Sequence, residues 1–124
     1  MKILITGGLG HIGSYLLTNI AKIKFVKKIY VMDNLLTNRY CSLFNLPNSS
    51  KKIYFYEIDL SVSNALKNFK KVDIVINLAS ITDAEQSFKI KKEIYRNNLG
   101  IFKNIVKYCK KNSSKLIHIS STSV

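Results

Sequence analysis

The stretch Thr6-Gly7-Gly8-Leu9-Gly10-His11-Ile12-Gly13-Ser14 decides the fold of this 124-residue chain. It follows the short apolar run Ile3-Leu4-Ile5 and opens a segment with helical spacing, as a strand-to-helix turn does. Its glycines permit a tight turn, a close backbone approach to a pyrophosphate, and close packing of the helix on the strand. The free N–H groups at the start of that helix would face the phosphates. The stretch therefore predicts a dinucleotide-binding loop, with contacts from Gly7, Gly10, His11, Ile12 and Gly13.

Five short apolar runs recur along the chain and alternate with segments of helical spacing. Each run is nearly continuous in apolar character, which is typical of parallel strands buried on both faces. Strands that alternate with helices indicate an α/β fold of the Rossmann type, with a doubly wound parallel sheet in the order 3-2-1-4-5. The fifth strand would then be an apolar edge and an aggregation liability. The predicted strands are Ile3–Thr6, Ile29–Met32, Ile53–Tyr56, Ile74–Leu78 and Leu116–Ile119.

Apolar residues with helical spacing predict helices in the segments between these strands. The first helix would bury a stripe formed by Ile12, Leu16 and Ile20, which Leu17 and Ile23 widen. Two short helices are expected at Arg39–Asn45 and Ser61–Phe69, the second capped by Ser61. One extended helix ends near Asn112, and its apolar face carries Ile90, Ile94, Ile101 and Ile105.

The length and composition predict one globular domain over residues 1–124. A hydrophobic content of 47% excludes a disordered chain. No apolar run is long enough to span a membrane, and the apolar stretch after Met1-Lys2 is too short for a signal peptide. We therefore expect a cytoplasmic protein with no membrane partner.

The net charge of +13 raises the question of nucleic-acid binding. The surplus is nearly all lysine, since Arg39 and Arg96 are the only arginines, and no nucleic-acid reading motif accompanies it. We expect solvated lysine faces and salt-sensitive sticking rather than a specific nucleic-acid partner. Cys41 and Cys109 form no CxxC and have no histidine at metal spacing, which predicts reduced thiols and no metal site.

Asp33 ends the second strand, twenty residues after Gly13. An acidic side chain at this position can accept hydrogen bonds from the adenosine ribose hydroxyls and would repel a 2′-phosphate. The pattern thus favours NAD over NADP as the cofactor. Arg39 lies further into the loop and is the alternative, since it could bind a 2′-phosphate.

Polar and small residues follow the later strands, where an open α/β sheet presents ligand-binding groups. Asp59 and Leu60 are expected at the adenine, although Asp59 could instead cap a helix before Ser61. The stretch Asn77-Leu78-Ala79-Ser80 closes the fourth strand. Its last three residues would let the ligand cross the strand tip, or would simply pack against the glycine loop; they are Leu78, Ala79 and Ser80. His118 lies within an apolar strand and is expected to be a packed core residue rather than a base.

Together these motifs resemble the extended short-chain dehydrogenase/reductase family, the NAD-dependent sugar-nucleotide epimerases and dehydratases. Five motifs occur in order and at the right spacing, and Asn77 replaces the commoner histidine. The resemblance covers essentially the whole chain, and it implies cofactor contacts from Asn34 and Asn97. The motifs are TGGxGxIGS at Thr6–Ser14, DNL at Asp33–Leu35, VDxVxHLA at Val72–Ala79, NVxG at Asn97–Gly100 and ISSxxV at Ile119–Val124.

The resemblance also implies a catalytic Tyr-x-x-x-Lys, supported by Ser121, but Val124 precedes that tyrosine and no tyrosine here has a lysine four residues later. We therefore expect an N-terminal fragment that holds the cofactor, lacks the substrate region and is inactive alone. The alternatives are a non-catalytic NAD-binding module and a non-functional truncated remnant. The complete enzyme would act on a nucleotide sugar and would form a homodimer if the family's dimer helices, only partly present, are completed.

Overall fold

A parallel sheet of five strands organises the computed structural model, which describes residues 1–44, 46, 52–81 and 88–120. The third strand lies at one edge, followed by the second, first, fourth and fifth, and all neighbouring pairs are parallel. The predicted fold class and strand order are thus confirmed. The strands are β1 (Lys2–Thr6), β2 (Lys28–Asp33), β3 (Ile53–Glu57), β4 (Ile74–Asn77) and β5 (Lys115–His118).

Two α-helices and one 3₁₀ helix accompany the sheet in the described part of the chain. Helix α1 covers His11–Ile20 and α2 covers Phe88–Asn112, which confirms the extended helix ending at Asn112. The 3₁₀ helix at Arg39–Leu43 takes the place of the short helix expected at Arg39–Asn45, whose last residue lies outside the described residues.

The three central strands, β2, β1 and β4, are buried on both faces, which explains their continuous apolar runs. The edge strands β3 and β5 are only partly buried, which corrects the expectation that all five would be covered. Leu4 of β1 faces a cluster that includes Tyr30 and Ile105, on the side covered by α2. Its neighbour Ile5 faces the opposite cluster, which includes Leu17 of α1. Because successive side chains of a strand point to opposite faces, each central strand serves two cores.

The buried stripe of α1 matches the prediction at Leu17, with Leu16 and Ile20 partly buried beside it, and differs at Ile12. Gly13 and Leu17 are its buried residues, whereas the side chain of Ile12 is 58% exposed. A Cβ atom on Gly13 would lie 2.6 Å from the carbonyl oxygen of Gly7, so this glycine must face the loop. That requirement rotates the helix and turns Ile12 towards solvent.

The helix expected at Ser61–Phe69 is wrong, because this segment is a series of turns. Asn104 of α2 donates its side-chain N–H groups to the carbonyl oxygens of Leu60 and Val62, at 2.8 and 2.9 Å. Asn64, in the middle of the segment, has a φ of 60°, and this left-handed conformation interrupts a right-handed helix.

The expectation that His118 is a core residue is also wrong. Its side chain is exposed, since β5 pairs only with β4 and lies at the edge of the described sheet. The neighbouring Ile117 is 48% exposed, as expected for an apolar edge strand.

Candidate functional site

A cleft of about 260 Å³ lies where the carboxyl ends of the strands meet. The end of an open parallel sheet, at the point where the chain reverses its strand order, is where such folds bind ligands. Here β1 stands between β2 and β4, so the loops after these strands diverge and leave the cleft between them. Its wall is formed by Gly7, Gly10, His11, Met32, Asp33, Asn34, Leu36, Thr37, Arg39, Ile58, Leu60, Leu78, Ala79, Ser80, Ile81 and Ile101.

The glycine loop passes very close to the end of β4. Gly7 has a φ of +65°, and a Cβ atom there would lie 2.8 Å from the backbone nitrogen of Ala79. The N–H group of Gly7 donates a hydrogen bond of 2.8 Å to the carbonyl oxygen of Met32, the residue before the end of β2. This position therefore requires glycine both for its conformation and for the close approach.

Helix α1 begins without a side-chain cap. Its N-cap residue is Gly10, in extended conformation, and its first turn contains no acidic side chain. The first N–H groups of a helix have no partner within the helix, and together with the helix dipole they attract an anion. Since Gly10 and His11 line the cleft, this end of the helix can receive a phosphate group there.

Asp33 connects two walls of the cleft. One carboxylate oxygen accepts a hydrogen bond of 3.1 Å from the N–H group of Leu9, in the glycine loop. The other accepts one of 3.0 Å from the N–H group of Leu35, whose φ of 58° bends the chain after β2. Each oxygen keeps a further lone pair, so the carboxylate can still accept bonds from ligand hydroxyls.

The wall after β4 is supported by Asn98 of α2. Its side-chain oxygen accepts a hydrogen bond of 2.8 Å from the N–H group of Ile81, and its side-chain nitrogen donates one of 3.0 Å to the carbonyl oxygen of Ile81. The sequence analysis named Asn97 instead of Asn98; neither asparagine is among the residues of the cleft wall, and Asn98 acts on it through Ile81. The signal available was an amide on the inner side of an amphipathic helix.

The structure brings nine of the predicted cofactor residues to this one cleft. They are Gly7, Gly10, His11, Asp33, Asn34, Leu60, Leu78, Ala79 and Ser80. The cleft wall does not include Ile12, Gly13, Asp59 or Asn97. Ser121, the expected support for proton transfer, lies outside the described residues.

Asp59 forms a local turn rather than a wall of the cleft. Its Oδ1 accepts hydrogen bonds from the N–H group of Ser61 at 2.9 Å and from the Ser61 hydroxyl at 2.6 Å. These bonds form a local turn of the Asx type, and the helix that Asp59 would cap in the alternative interpretation is absent, because the segment after it is a series of turns. The adjacent Leu60 lines the cleft in its place.

The groups whose pKa is perturbed lie away from the cleft wall. A hydrogen bond with Tyr56 raises the pKa of Lys70, and burial raises the pKa of Tyr108 and of the Cys109 thiol. The described cleft residues therefore offer hydrogen-bond donors, a carboxylate and apolar surface for binding.

The described part of the chain comprises residues 1–44, 46, 52–81 and 88–120. Within these ranges, no three histidine, cysteine or acidic side chains cluster in a way that could hold a metal ion. The described helices also include none with the length and apolar character needed to cross a membrane.

The strand order and the helices on both faces define a domain with a Rossmann-type fold. The profile of the NAD dependent epimerase/dehydratase family matches residues 3–124. The chain therefore belongs to this family, and it corresponds to the part that carries the glycine-rich loop.

Related proteins give the same assignment. The chain is 37% identical to a dTDP-D-glucose 4,6-dehydratase of Dictyostelium discoideum, over 99% of this chain and 29% of that protein. It is 33% identical to a UDP-glucose 4-epimerase of Yersinia enterocolitica, over 100% of this chain and 38% of that protein. The chain thus spans about a third of the length of these two relatives.

Solved structures show the same architecture. A UDP-Glc/GlcNAc 4-epimerase from Campylobacter jejuni superposes with a TM-score of 0.83 at 30% identity, over 98% of this chain and 37% of that one. A variant UDP-glucuronic acid 4-epimerase from Bacillus cereus, solved with NAD and a fluorinated UDP-sugar, gives a TM-score of 0.84 at 27% identity. That comparison covers 100% of this chain and 41% of the other.

Proposed function

We propose that this chain binds NAD in the cleft and forms the cofactor-binding portion of an enzyme that epimerises or dehydrates a nucleotide sugar. The observation that carries the proposal is the pairing of an uncapped helix start with Asp33 across one cleft. The first attracts a pyrophosphate, and the second accepts hydrogen bonds from a ribose. Family membership and the sugar-nucleotide names of the relatives support the substrate class.

The walls of the cleft suit successive parts of the cofactor. Asp33 would accept hydrogen bonds from the adenosine ribose, and Gly10 with the start of α1 would hold the pyrophosphate. Ala79 and Ser80, at the end of β4, would lie against the nicotinamide half. When bound, NAD supplies a ring that accepts and returns a hydride. The chain's own residues hold and orient that ring.

The preference for NAD over NADP is part of the proposal. A 2′-phosphate would place negative charge beside the Asp33 carboxylate, which has two backbone N–H partners and no cationic one among its hydrogen bonds. Arg39 lines the same cleft and is the group that could oppose this preference. We propose that repulsion between Asp33 and a 2′-phosphate outweighs the attraction of Arg39, because both hydrogen bonds hold Asp33 in place.

Titration calorimetry with NAD and NADP tests the proposal directly. We expect NAD to bind at least about 10-fold more tightly, because one like-charge contact at a partly buried site costs about 1.4 kcal/mol or more. Asp33→Asn should lower the ratio of the NADP dissociation constant to the NAD dissociation constant. Arg39→Gln is the matched control, and it should leave NAD affinity nearly unchanged. Tighter binding of NADP, or no binding of either, would contradict the proposal.

The proposal also covers the oligomeric state of the protein and its location in the cell. Tyr95 of α2 is 68% exposed and Leu99 is 36% exposed, so this helix offers apolar surface to a second copy of the chain. We include a homodimer, which light scattering of the full-length protein would reveal by its mass. We also include a cytoplasmic location, which imaging of a tagged protein would test.

A further inference from the structure

A row of three polar side chains crosses the sheet beside the cleft. Thr6 of β1 pairs in register with Asn77 of β4, which pairs in register with His118 of β5. Thr6 and Asn77 are 0% and 1% exposed, whereas His118 is exposed at the edge strand. Buried polar groups are costly unless their hydrogen bonds are made, so the row must satisfy its own donors and acceptors.

Asn77 is the centre of this row. Its side-chain oxygen accepts a hydrogen bond of 2.6 Å from the Thr6 hydroxyl and one of 3.2 Å from the N–H group of Ala79. Its side-chain nitrogen lies 2.9 Å from Nδ1 of His118. Ala79 is a wall residue of the cleft, and a Cβ atom on Gly7 would lie 2.8 Å from its backbone nitrogen.

The orientation of the Asn77 amide follows from its hydrogen bond with the backbone N–H group of Ala79, which can donate but cannot accept. The Thr6 hydroxyl can donate or accept, so it is compatible with either orientation of the amide. The N–H group of Ala79 can only donate, and it requires the Asn77 oxygen to face it. The amide nitrogen must then face His118, and Nδ1 of His118 must accept.

We propose that Asn77 is a positioning residue for the cleft, and that His118, as its neutral Nε2–H tautomer, holds the Asn77 amide in the orientation that secures Ala79. The inference rests on the proposed function, because Ala79 is placed against the cofactor there. The ring of His118 also packs on Phe102 of α2 at 4.8 Å between centroids, which keeps Nδ1 directed at Asn77. A histidine at the exposed edge thus acts on the cofactor site through one buried amide.

Two variants of His118 separate its hydrogen bond from its packing. His118→Phe keeps an aromatic ring against Phe102 but leaves the buried Asn77 nitrogen without an acceptor. His118→Asn restores an acceptor at the same distance from the backbone as Nδ1. Asn77→Leu removes the acceptor for Ala79, and Ile117→Thr changes the same exposed strand without touching the row.

Nitrogen-15 NMR of the imidazole rings and NAD titrations of the full-length protein test the inference together. In the unaltered protein, His118 should carry its proton on Nε2, and Asn77→Leu should shift it towards a mixture of tautomers. NAD should bind about 3- to 10-fold more weakly to His118→Phe and Asn77→Leu, the range expected for one lost hydrogen bond. His118→Asn should recover most of that loss, and Ile117→Thr should bind as the unaltered protein does.

The outcomes distinguish the two proposals. No NAD binding by the unaltered protein would refute the proposed function. Normal NAD binding with a proton on Nδ1 of His118, or normal NAD affinity in His118→Phe, would overturn the positioning role alone. Equal weakening in Ile117→Thr would also overturn it, since the effect would then belong to the edge strand.

Discussion

Replacement of Gly13 by alanine tests the closest contact between the glycine loop and helix α1. A Cβ atom at this position would lie 2.6 Å from the Gly7 carbonyl oxygen and 2.6 Å from the Gly8 Cα atom. Both are backbone atoms, which cannot rotate aside as a side chain can. The helix and the loop would have to separate by roughly 0.8 Å to restore ordinary van der Waals distances.

The magnitude follows from two opposing terms. Alanine is favoured over glycine inside a helix by about 1 kcal/mol. Overpacking of a close contact costs about 1 to 3 kcal/mol, and the upper end applies because backbone must move. We therefore expect Gly13→Ala to lower the free energy of unfolding by about 1 to 2 kcal/mol, despite the better helix former.

Gly100→Ala is the matched control. Gly100 lies inside α2, and a Cβ atom there would meet only the Ser61 carbonyl oxygen, at an ordinary 3.6 Å. This variant should therefore gain about 0.5 to 1 kcal/mol of stability from helix propensity alone. Both free energies are measured by urea unfolding followed by circular dichroism.

NAD affinity provides a second measurement on the variants Gly13→Ala and Gly100→Ala. A displaced α1 should weaken at least one hydrogen bond to the pyrophosphate, so NAD affinity should fall about 10-fold or more in Gly13→Ala. Gly100→Ala should bind NAD normally. If the two variants were equally stable and bound NAD equally well, the close-packing argument would be wrong.

Two further predictions concern Tyr108 and Gly10. Tyr108→Phe leaves the buried N–H group of Val72, now 3.1 Å from the phenol oxygen, without a partner; urea unfolding should show a loss of about 1 to 3 kcal/mol. Because burial raises the pKa of Tyr108 in the folded chain, its contribution is complete below the unfolded pKa of about 10 and declines as the pH rises further, a decline absent from the variant. Gly10→Ala should change stability by less than about 0.5 kcal/mol, because its Cβ would meet a single loop oxygen at 3.4 Å. Calorimetry should nevertheless show weaker NAD binding, because the added methyl group projects from the helix start that lines the cleft; unchanged affinity would place the pyrophosphate elsewhere.

The strands were predictable because their signal is local. Runs such as Ile3-Leu4-Ile5 are apolar at every position, and only a strand buried on both faces needs that pattern. The spacing of Ile101 and Ile105 likewise identified the buried face of α2 within one stretch of chain. The glycines of the first turn marked the place where the cleft forms, and Gly7 and Gly10 line it.

The errors arose where a distant element competes with a local preference. Ser61–Phe69 has the composition of a short helix, but Asn64 takes a left-handed φ of 60° and Asn104 of α2 binds the carbonyl oxygens of Leu60 and Val62. His118 lies in an apolar run, but its strand has one neighbour in the described sheet and leaves the ring exposed. Neither partner can be read from the segment itself.

The sequence by itself determined the apolar strands, the glycine turn and the acidic residue that ends β2, because each is marked by residues within a few positions of one another. Only the tertiary structure decided that Asp33 joins the loop after β2 to the glycine loop, and that Asn98 holds Ile81. The bonds from Leu9 to Asp33 and between Asn98 and Ile81 connect residues 24 and 17 positions apart in the chain. The sequence does not show whether a polar side chain contacts solvent, a backbone group or a ligand, because its partner depends on the folded structure.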